Sequence, residues 1–321
     1  MARGLQKKIG SGFGAKSEPE TILAGKNLSG KIAIVTGGYS GIGLETTRAL
    51  VAKGARVYVP VRTPEKARET LAGIAGDIRV DAMDLSSLAS VRAYAKGIAA
   101  RESALHLLIN NAGIMACPET RIGNNWESQF GVNHLGHFVL TQALLPLLLN
   151  AGGARVVSLS SIGHRRSDIL WNDINFEKTP YEKWTAYAQS KTANALFALG
   201  LDMQYGEKGV QAFSVHPGGI LTPLQRHLPI AEMVALGWTD SEGNLSEMAR
   251  GMFKSTTQGC TTTLWAATSD ALAKLGGQYC EDCDVADIAD ESSPRFFNVA
   301  KWATSEDSAR KLWDISLQIT G

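Results

Sequence analysis

Short apolar segments alternate with helical patterns along most of the chain. The apolar segments, rich in β-branched residues, are 31–36, 55–61, 78–82, 107–110, 154–160, 210–215 and 277–280. Segments of this kind are typical of parallel strands that are buried on both faces, and the stretches between them have the length of helices. The pattern predicts an α/β fold, a doubly wound parallel sheet of about seven strands with helices on both faces.

The chain has 321 residues, and one hydrophobic core serves up to about 250–300 residues. No Pro/Gly/Ser-rich linker interrupts the middle, so we predict a single domain over residues 29–290. Residues 1–28 are polar and contain glycine, which favours a loosely ordered extension or an arm across a neighbouring subunit. Residues 291–321 are predicted to form a helical tail, with a helix start at Ser305-Glu306-Asp307.

A glycine-rich turn joins the first predicted strand to a helix predicted from Leu44 to Lys53. Gly37, Gly41 and Gly43 have the spacing Gly-x-x-x-Gly-x-Gly. Glycines allow a tight turn and let a pyrophosphate approach the amides at the helix N-terminus, where the dipole favours anions. The turn therefore indicates a dinucleotide site, although a glycine-rich turn alone is a weak signal.

Tyr187 and Lys191 are four residues apart, so on a helix they share one face. A phenol has a pKa near ~10, and a nearby ammonium favours the phenolate and lowers that pKa toward neutrality. The alternative for an isolated Tyr-x-x-x-Lys pair is a solvated helix face. Chemistry at this pair therefore needs the support of other motifs.

Four further motifs occur in a fixed order between and after these two. They are Asn110-Asn111-Ala112-Gly113, Val132-Asn133-His134, Ser160-Ser161 and His216-Pro217-Gly218-Gly219-Ile220-Leu221-Thr222. Together with the glycine turn and the Tyr/Lys pair, they resemble the short-chain dehydrogenase/reductase family over roughly residues 29–280. The long interval between Ser161 and Tyr187 is similar to the retinol dehydrogenase and protochlorophyllide reductase-like branches. The resemblance implies a Rossmann fold and an NAD(P)-dependent oxidoreductase.

The resemblance also implies a catalytic tetrad of Asn133, Ser161, Tyr187 and Lys191. Tyr187 would exchange a proton with the reacting oxygen while a hydride passes between nicotinamide and a carbonyl carbon. Ser161 would hydrogen-bond that oxygen. Lys191 would contact the nicotinamide ribose and stabilise the tyrosinate, and Asn133 would position a water that relays protons. The alternatives are a turn cap for Ser161 and a helix residue bonded to backbone for Asn133.

The residues that the resemblance assigns to the cofactor follow the predicted strands. They are Gly37, Tyr39, Ser40, Gly41, Ile42, Gly43, Asp84, Leu85, Asn111, Ala112, Gly113, Tyr187, Lys191, Pro217, Gly218, Ile220 and Thr222. In relatives the threonine meets the nicotinamide carboxamide and the aspartate contacts adenine. Asp84 could also cap a helix that begins at Leu85 or Ser86.

The end of the second predicted strand decides the cofactor preference. Val61 stands where enzymes for the unphosphorylated cofactor usually carry an acid, and Arg62 follows it. A guanidinium can bind a 2′-phosphate through two charge-assisted hydrogen bonds, whereas a carboxylate would repel it. A solvent-facing arginine is the alternative, and Ser40 replaces a basic residue found in many NADP-preferring relatives. We predict NADP(H) rather than NAD(H).

The sequence indicates the class of the substrate less specifically than it indicates the cofactor. Residues 220–255 are partly apolar and resemble the mobile lid that closes over the substrate in relatives. This lid and the long interval before Tyr187 favour a fairly large or hydrophobic carbonyl or alcohol. Two alternatives stay open: a sensor or scaffold that binds NADP(H) without turnover, and a reductase of activated carbon–carbon double bonds.

Charge and composition limit the partners. The 32 basic and 31 acidic residues leave a formal charge of +1, which gives no electrostatic footprint for nucleic acid. The N-terminus lacks the apolar core of a signal peptide, and Phe138 to Leu149 is too short to span a bilayer. We expect a cytoplasmic enzyme without a membrane contact, and the family implies a homodimer or homotetramer. Cys280 and Cys283 are expected to be unpaired thiols in a loop after the last strand, without a metal.

Overall fold

Eight strands form the main sheet of the computed structural model, which describes residues 5–321. The strands of the described chain are β1 (Ile32–Val35), β2 (Arg56–Val61), β3 (Ile78–Ala82), β4 (Leu107–Asn110), β5 (Arg121–Ile122), β6 (Trp126–Glu127), β7 (Ala154–Leu159), β8 (Val210–His216), β9 (Tyr279–Glu281) and β10 (Asp284–Val285). The main sheet has the order β10-β9-β8-β7-β4-β1-β2-β3, and β5 pairs with β6 separately. The seven predicted parallel strands are confirmed.

The edge strand β10 was missed, so the prediction of about seven strands is one short. It pairs antiparallel with β9 through Asp284–Glu281 and Val285–Cys280. The turn between them contains two non-glycine residues with left-handed φ values, 49° at Asp282 and 60° at Cys283. A two-residue strand after such a turn has no apolar run that a sequence pattern could reveal.

Helices cover both faces of the main sheet. They are α1 (Pro19–Ile22), α2 (Gly41–Ala52), α3 (Pro64–Leu71), α4 (Leu88–Ala99), α5 (Ser128–Phe130), α6 (Gly136–Asn150), α7 (Lys183–Tyr205), α8 (Ile230–Ala235), α9 (Glu247–Met252), α10 (Thr256–Thr268) and α11 (Glu306–Thr320). One core unites α1, α2, α3 and α10 with the sheet, and a second unites α4, α6, α7 and the α11 residue Trp313. The fold is therefore one doubly wound domain, as predicted.

The strand order reverses between β1 and β4, because β2 and β3 lie on one side of β1 and β4 begins the other side. In open α/β sheets, ligands bind in the crevice outside the carboxyl ends of the strands at such a switch point. The glycine turn follows β1 and the Asn110–Gly113 motif follows β4. Topology therefore brings these two motifs to the same crevice.

The described part of the N-terminal extension is not loosely ordered. The Gln6 side chain hydrogen-bonds the β9 residue Tyr279, donating to its carbonyl at 2.8 Å and accepting from its amide at 2.9 Å. The Asp284 carboxylate accepts the amides of Ile9 and Gly10. Residues 6–10 therefore bind the β9–β10 hairpin of their own chain, whereas the sequence favoured a loosely ordered extension or an arm across a neighbouring subunit. Residues 1–4 lie outside the described residues.

The C-terminal tail ends in the predicted helix. Ser305 caps α11 by accepting the amide of Ser308 at 3.2 Å. Trp313 lies in the core, 5.1 Å from the Phe138 ring in an edge contact and stacked 6.1 Å from Phe197. The tail is thus fixed to the domain by aromatic packing.

One helical stretch is longer than the sequence pattern indicated. Residues Ser128–Asn150 form 23 continuous helical residues and are long and apolar enough to cross a membrane by length and composition alone. The prediction that the apolar stretch is too short to span is therefore wrong. In this fold 67% of its most apolar window is buried inside the protein, where it packs in the second core.

The two cysteines of the Cys-x-x-Cys segment are buried rather than exposed in a loop. Cys280 lies within β9 and Cys283 in the β9–β10 turn, and both thiols are free. Burial raises the pKa of each thiol. They are protonated core residues, and the expectation that they follow the last strand is wrong, because Cys280 lies in β9 and Cys283 precedes β10. Within residues 5–321, no group of three or more His, Cys, Asp and Glu side chains could hold a metal ion.

Candidate active site

The glycine turn forms a narrow cradle at the N-terminus of α2, which begins at Gly41 rather than at Leu44. A Cβ on Gly43 would lie 2.5 Å from Asn111 Nδ2 and 2.6 Å from the Gly37 carbonyl oxygen. Gly37 and Gly41 have φ values of 65° and 54°, which favour glycine. The glycines therefore keep backbone amides open to an anion at the helix N-terminus.

Thr36 joins the ends of β1 and β4 and was missed by sequence reasoning. Its hydroxyl accepts the amides of Asn111 and Ala112, each at 2.9 Å, and Asn111 Nδ2 donates to the Thr36 carbonyl at 2.7 Å. His137 Nδ1 lies 3.0 Å from the Asn133 carbonyl, which can only accept, so Nε2 is left to accept the Thr36 hydroxyl proton at 2.9 Å. Burial lowers the pKa of His137 to about 4, consistent with a neutral ring.

Asn133 lies in a π-helical turn, Gly131–Leu135, between α5 and α6. Such turns often occur at functional sites. Its amide is held on both sides: Oδ1 accepts the Ile114 amide and Nδ2 donates to the Ile114 carbonyl, each at 2.9 Å. Nδ2 also donates to Ser190 Oγ at 2.9 Å. The backbone-bonding alternative for Asn133 is therefore present in the structure, and this residue fixes the segment after β4.

Ser161 follows β7 and caps the short helical turn Ile162–Arg166, since its hydroxyl accepts the Gly163 amide at 3.1 Å. The Ser161 side chain also lowers the pKa of the Tyr187 phenol, against the effect of burial. Ser161 therefore caps the turn and acts on the phenol. A Cβ on Gly163 would lie 3.1 Å from the Tyr187 ring, so glycine is needed where this turn passes the phenol.

Tyr187 and Lys191 share one face of α7, as their spacing predicts, and both are buried. The Lys191 ammonium lies 5.6 Å from the centre of the Tyr187 ring and donates to the Leu159 carbonyl at 2.9 Å. Burial lowers the pKa of Lys191 to about 7. Burial also raises the pKa of Tyr187 to about 12, and the hydrogen bond to Ser161 opposes that rise.

Within the protein alone, the pKa of Tyr187 lies above its ordinary value although Lys191 is nearby. Burial disfavours the charged form of both side chains, which outweighs their mutual attraction. A second cation beside the phenol would be needed to lower its pKa enough for the phenolate to form near neutral pH.

Gly113 separates the Asn133 amide from the Lys191 ammonium. A Cβ at this position would lie 3.2 Å from Asn133 Oδ1 and 3.6 Å from Lys191 Nζ. Any larger residue would crowd both groups. Glycine here leaves room between Asn133 and Lys191, the first and fourth members of the predicted tetrad.

Two basic side chains line the cleft after β2. Arg62 follows β2, is exposed, and lines the cleft, and Lys66 lines it one turn into α3. Asp84 also lines the cleft, where its carboxylate accepts the amide and hydroxyl of Ser86 at 2.9 and 2.7 Å. Helix α4 begins at Leu88 with Ser87 as its cap. The alternative of a helix cap at Asp84 is therefore not realised, because the carboxylate closes a local turn instead.

The predicted lid begins at the Pro217–Thr222 segment. The Thr222 hydroxyl accepts the Leu224 amide at 3.2 Å, which caps the turn Pro223–His227. Helices α8 and α9 follow, and the lid ends where Lys254 donates its amide to the Gly219 carbonyl at 2.9 Å. The buried Lys254 ammonium lies 2.6 Å from the Asp282 carboxylate.

One cleft of about 1380 Å³ connects these features. All the predicted cofactor residues line it, and so do Ser161, Tyr187 and Lys191 of the predicted tetrad, whereas Asn133 is not part of the lining. Sequence reasoning missed Lys16, Lys66 and Lys254, which also line it. Lys66 could have been found from its place one helical turn after Arg62. The other two are brought there by long-range folding and gave no sequence signal.

Comparison with known proteins agrees with this geometry. The family model for short chain dehydrogenase matches residues 31–232. "Short-chain dehydrogenase/reductase prx1" of Penicillium roqueforti is 40% identical over 91% of this chain and 86% of its own length. "Retinol dehydrogenase 12" of Mus musculus is 37% identical over 92% and 87%. The structure of a Pseudomonas aeruginosa RhlG/NADP active-site complex superposes with a TM-score of 0.59, 27% identity, and coverage of 79% of this chain and 95% of that one.

Proposed function

The chain belongs to the short-chain dehydrogenase/reductase family, and we propose that it is an NADP(H)-dependent oxidoreductase that interconverts a carbonyl compound and an alcohol. The observation that carries the proposal is the convergence of Ser161, Tyr187 and Lys191 in the cleft that also contains the glycine cradle. The three side chains have the chemistry for proton transfer beside a hydride transfer. A sensor without turnover would not require this set.

The residues of the cleft fit a nicotinamide dinucleotide. The cradle at Gly37, Gly41 and Gly43 offers backbone amides to the pyrophosphate, and any Cβ at Gly43 would close it. When bound, the nicotinamide cofactor supplies or accepts the hydride. Ile220 and Thr222, which line the cleft beyond the cradle, would hold the nicotinamide end.

The protein's own groups would handle the proton. The Tyr187 phenol, with a pKa near 12, is a protonated donor at neutral pH, and Ser161 would hold the substrate oxygen beside it. Lys191, with a pKa near 7, can gain or lose a proton at working pH. Lys191 would therefore return a proton to the Tyr187 oxygen after each transfer, and Asn133 would keep the neighbouring backbone in place.

Preference for NADP(H) over NAD(H) rests on Arg62 and Lys66. Both are basic, both line the cleft after β2, and Val61 leaves the strand end without a carboxylate. A guanidinium and an ammonium would together favour a 2′-phosphate. The RhlG neighbour, whose structure is an NADP complex, supports the same preference.

The substrate that we propose is a fairly large or hydrophobic ketone, aldehyde or alcohol. The volume of about 1380 Å³ exceeds a typical small-molecule pocket of ~300–1,000 Å³, which allows a cofactor and a substrate together. The relative named retinol dehydrogenase 12 supports an apolar substrate class. We further propose a cytoplasmic homodimer or homotetramer that acts without a membrane contact.

Turnover with a panel of aromatic, aliphatic and polycyclic carbonyls, using NADPH and NADH, tests the proposal. We expect loss of NADPH absorbance and formation of an alcohol. Formation of a saturated ketone from an enone would instead indicate reduction of a carbon–carbon double bond. Tight NADPH binding without turnover of any carbonyl would favour the sensor alternative.

A further inference from the structure

Two large aromatic side chains lie exposed in the tail, in the segment before α11. Phe296 is 38% and Phe297 45% exposed, and both line the cleft that holds Ser161 and Tyr187. The sequence prediction assigned this region to a helical tail. Exposed aromatic side chains at the edge of a substrate cleft are candidates for substrate contact.

The segment that carries this aromatic pair is held firmly. The Arg165 guanidinium donates to the carbonyls of Pro294 and Phe297. The buried Glu281 carboxylate accepts the Asn298 amide at 2.9 and 3.0 Å. The pair is thus fixed in an exposed position, which a freely moving loop would not provide.

The same segment is tied to the turn that carries Ser161. Arg165 belongs to that turn, and so does His164, whose Nδ1 lies 2.6 Å from the Ser161 carbonyl. His164 Nε2 accepts the Ala300 amide at 2.9 Å. The position of the aromatic pair is therefore coupled, through two adjacent side chains, to the position of the serine beside the reacting oxygen.

Apolar side chains of the lid face the same cleft. Trp238, Met252 and Phe253 line it, and the Trp238 ring lies 6.1 Å from Phe253 and 6.1 Å from Trp184. The lining of the cleft beyond Tyr187 therefore consists of aromatic and aliphatic side chains from the lid and aromatic side chains from the tail. A substrate whose polar end reaches Tyr187 would meet this wall with the rest of its length.

We propose that Phe296 and Phe297 form a specificity-determining subsite that binds the extended apolar part of the carbonyl or alcohol substrate. The inference rests on the proposed function and deepens it. Arg165 is a positioning residue for this subsite and does not itself touch substrate. Because burial against an aromatic ring is favourable for every apolar group covered, long substrates gain from the subsite and short ones do not.

The test compares 2-octanone with acetone in the wild type and in the Phe296→Ala/Phe297→Ala double variant. We expect kcat/KM for 2-octanone to fall by about tenfold to hundredfold, through KM, with kcat/KM for acetone unchanged within about twofold. Leu317→Ala, at a surface leucine with 46% exposure on α11, is the control and should change neither value. Arg165→Ala, which removes the support of the pair but also alters the turn of Ser161, should raise KM for 2-octanone by a larger factor than KM for acetone.

Calorimetric binding of 2-octanone to the NADPH-saturated protein keeps the test informative if turnover is undetectable. Tighter binding of 2-octanone to wild type than to the double variant supports the subsite even if the proposed reaction fails. Equal binding overturns it, as does an equal loss of kcat/KM for both ketones. A change in oligomeric state of the double variant at the assay concentration would assign the aromatic pair to a contact between subunits, and would also overturn the subsite.

Discussion

Replacing Lys191 with methionine should stabilise the protein near neutral pH while removing activity. Burial lowers the pKa of Lys191 from its ordinary 10.5 to about 7, so between these values the folded chain binds fewer protons than the unfolded chain. Stability therefore rises with pH over this window. The penalty for Lys191 is about 4 kcal/mol at about pH 7 and about 1.4 kcal/mol at about pH 9.5.

Methionine fills a similar volume and carries no charge, so it removes this penalty. The Leu159 carbonyl loses the Lys191 hydrogen bond but keeps Asn194 Nδ2 at 2.8 Å, so the loss costs only about 1 kcal/mol. Lys191→Met should therefore be more stable than wild type by about 3 kcal/mol at about pH 7 and nearly equal to it at about pH 9.5.

Urea unfolding of the cofactor-free protein at both pH values measures this difference. Lys96→Met, at an exposed position of α4, is the control and should show no pH-dependent change relative to wild type. A Lys191→Met variant that is less stable than wild type at neutral pH would refute the reasoning. So would a stability difference that stays the same at both pH values.

Three further substitutions test other parts of the site. Gly43→Ala should weaken NADPH binding by about tenfold to hundredfold, measured by fluorescence titration, because the new Cβ would overlap the cradle. Arg62→Ala should lower kcat/KM for NADPH by about tenfold to hundredfold and leave NADH within about twofold, because a charge-assisted hydrogen bond is lost. Asp282→Asn should destabilise the protein by about 2 kcal/mol in urea unfolding, because the buried Lys254 loses its ionic partner. This loss is smaller than that for a fully buried ion pair, because Asp282 is 28% exposed.

Each of these substitutions has a matched control in the chain. Gly73→Ala adds a Cβ with nothing within 4 Å and should leave NADPH binding unchanged. Arg68→Ala changes an α3 arginine outside the cleft lining and should leave cofactor preference unchanged. Asp270→Asn breaks the ion pair with Lys26 at a carboxylate that is 94% exposed, and should cost under about 1 kcal/mol. An equal effect in variant and control would contradict the corresponding argument.

The sequence predicted the parts of the fold that depend on local pattern. Buried strand segments and the i, i+4 spacing of Tyr187 and Lys191 are periodic signals, and the structure contains both. The two-residue strand β10 has no such signal. Its place depends on a left-handed turn at Asp282.

Long-range polar contacts and the burial of individual side chains could not be predicted from the sequence either. Gln6 looked like part of a loose extension, yet it hydrogen-bonds Tyr279. The perturbed pKa values of Tyr187 and Lys191 follow from burial, which no spacing reveals. Phe296 and Phe297 gave no pattern at all, because only the folded tail brings them to the cleft.

In the proposed reaction, the Tyr187 phenol transfers the proton. The direct measurement is kcat/KM for NADPH-dependent carbonyl reduction in wild type and Tyr187→Phe, with the NADPH dissociation constant measured in parallel. We predict a fall in kcat/KM of about 10²- to 10⁴-fold, with NADPH binding changed by less than about threefold because only the Tyr187 hydroxyl is lost and the other predicted cofactor residues remain. Activity of Tyr187→Phe within about tenfold of wild type, at unchanged cofactor affinity, would contradict it.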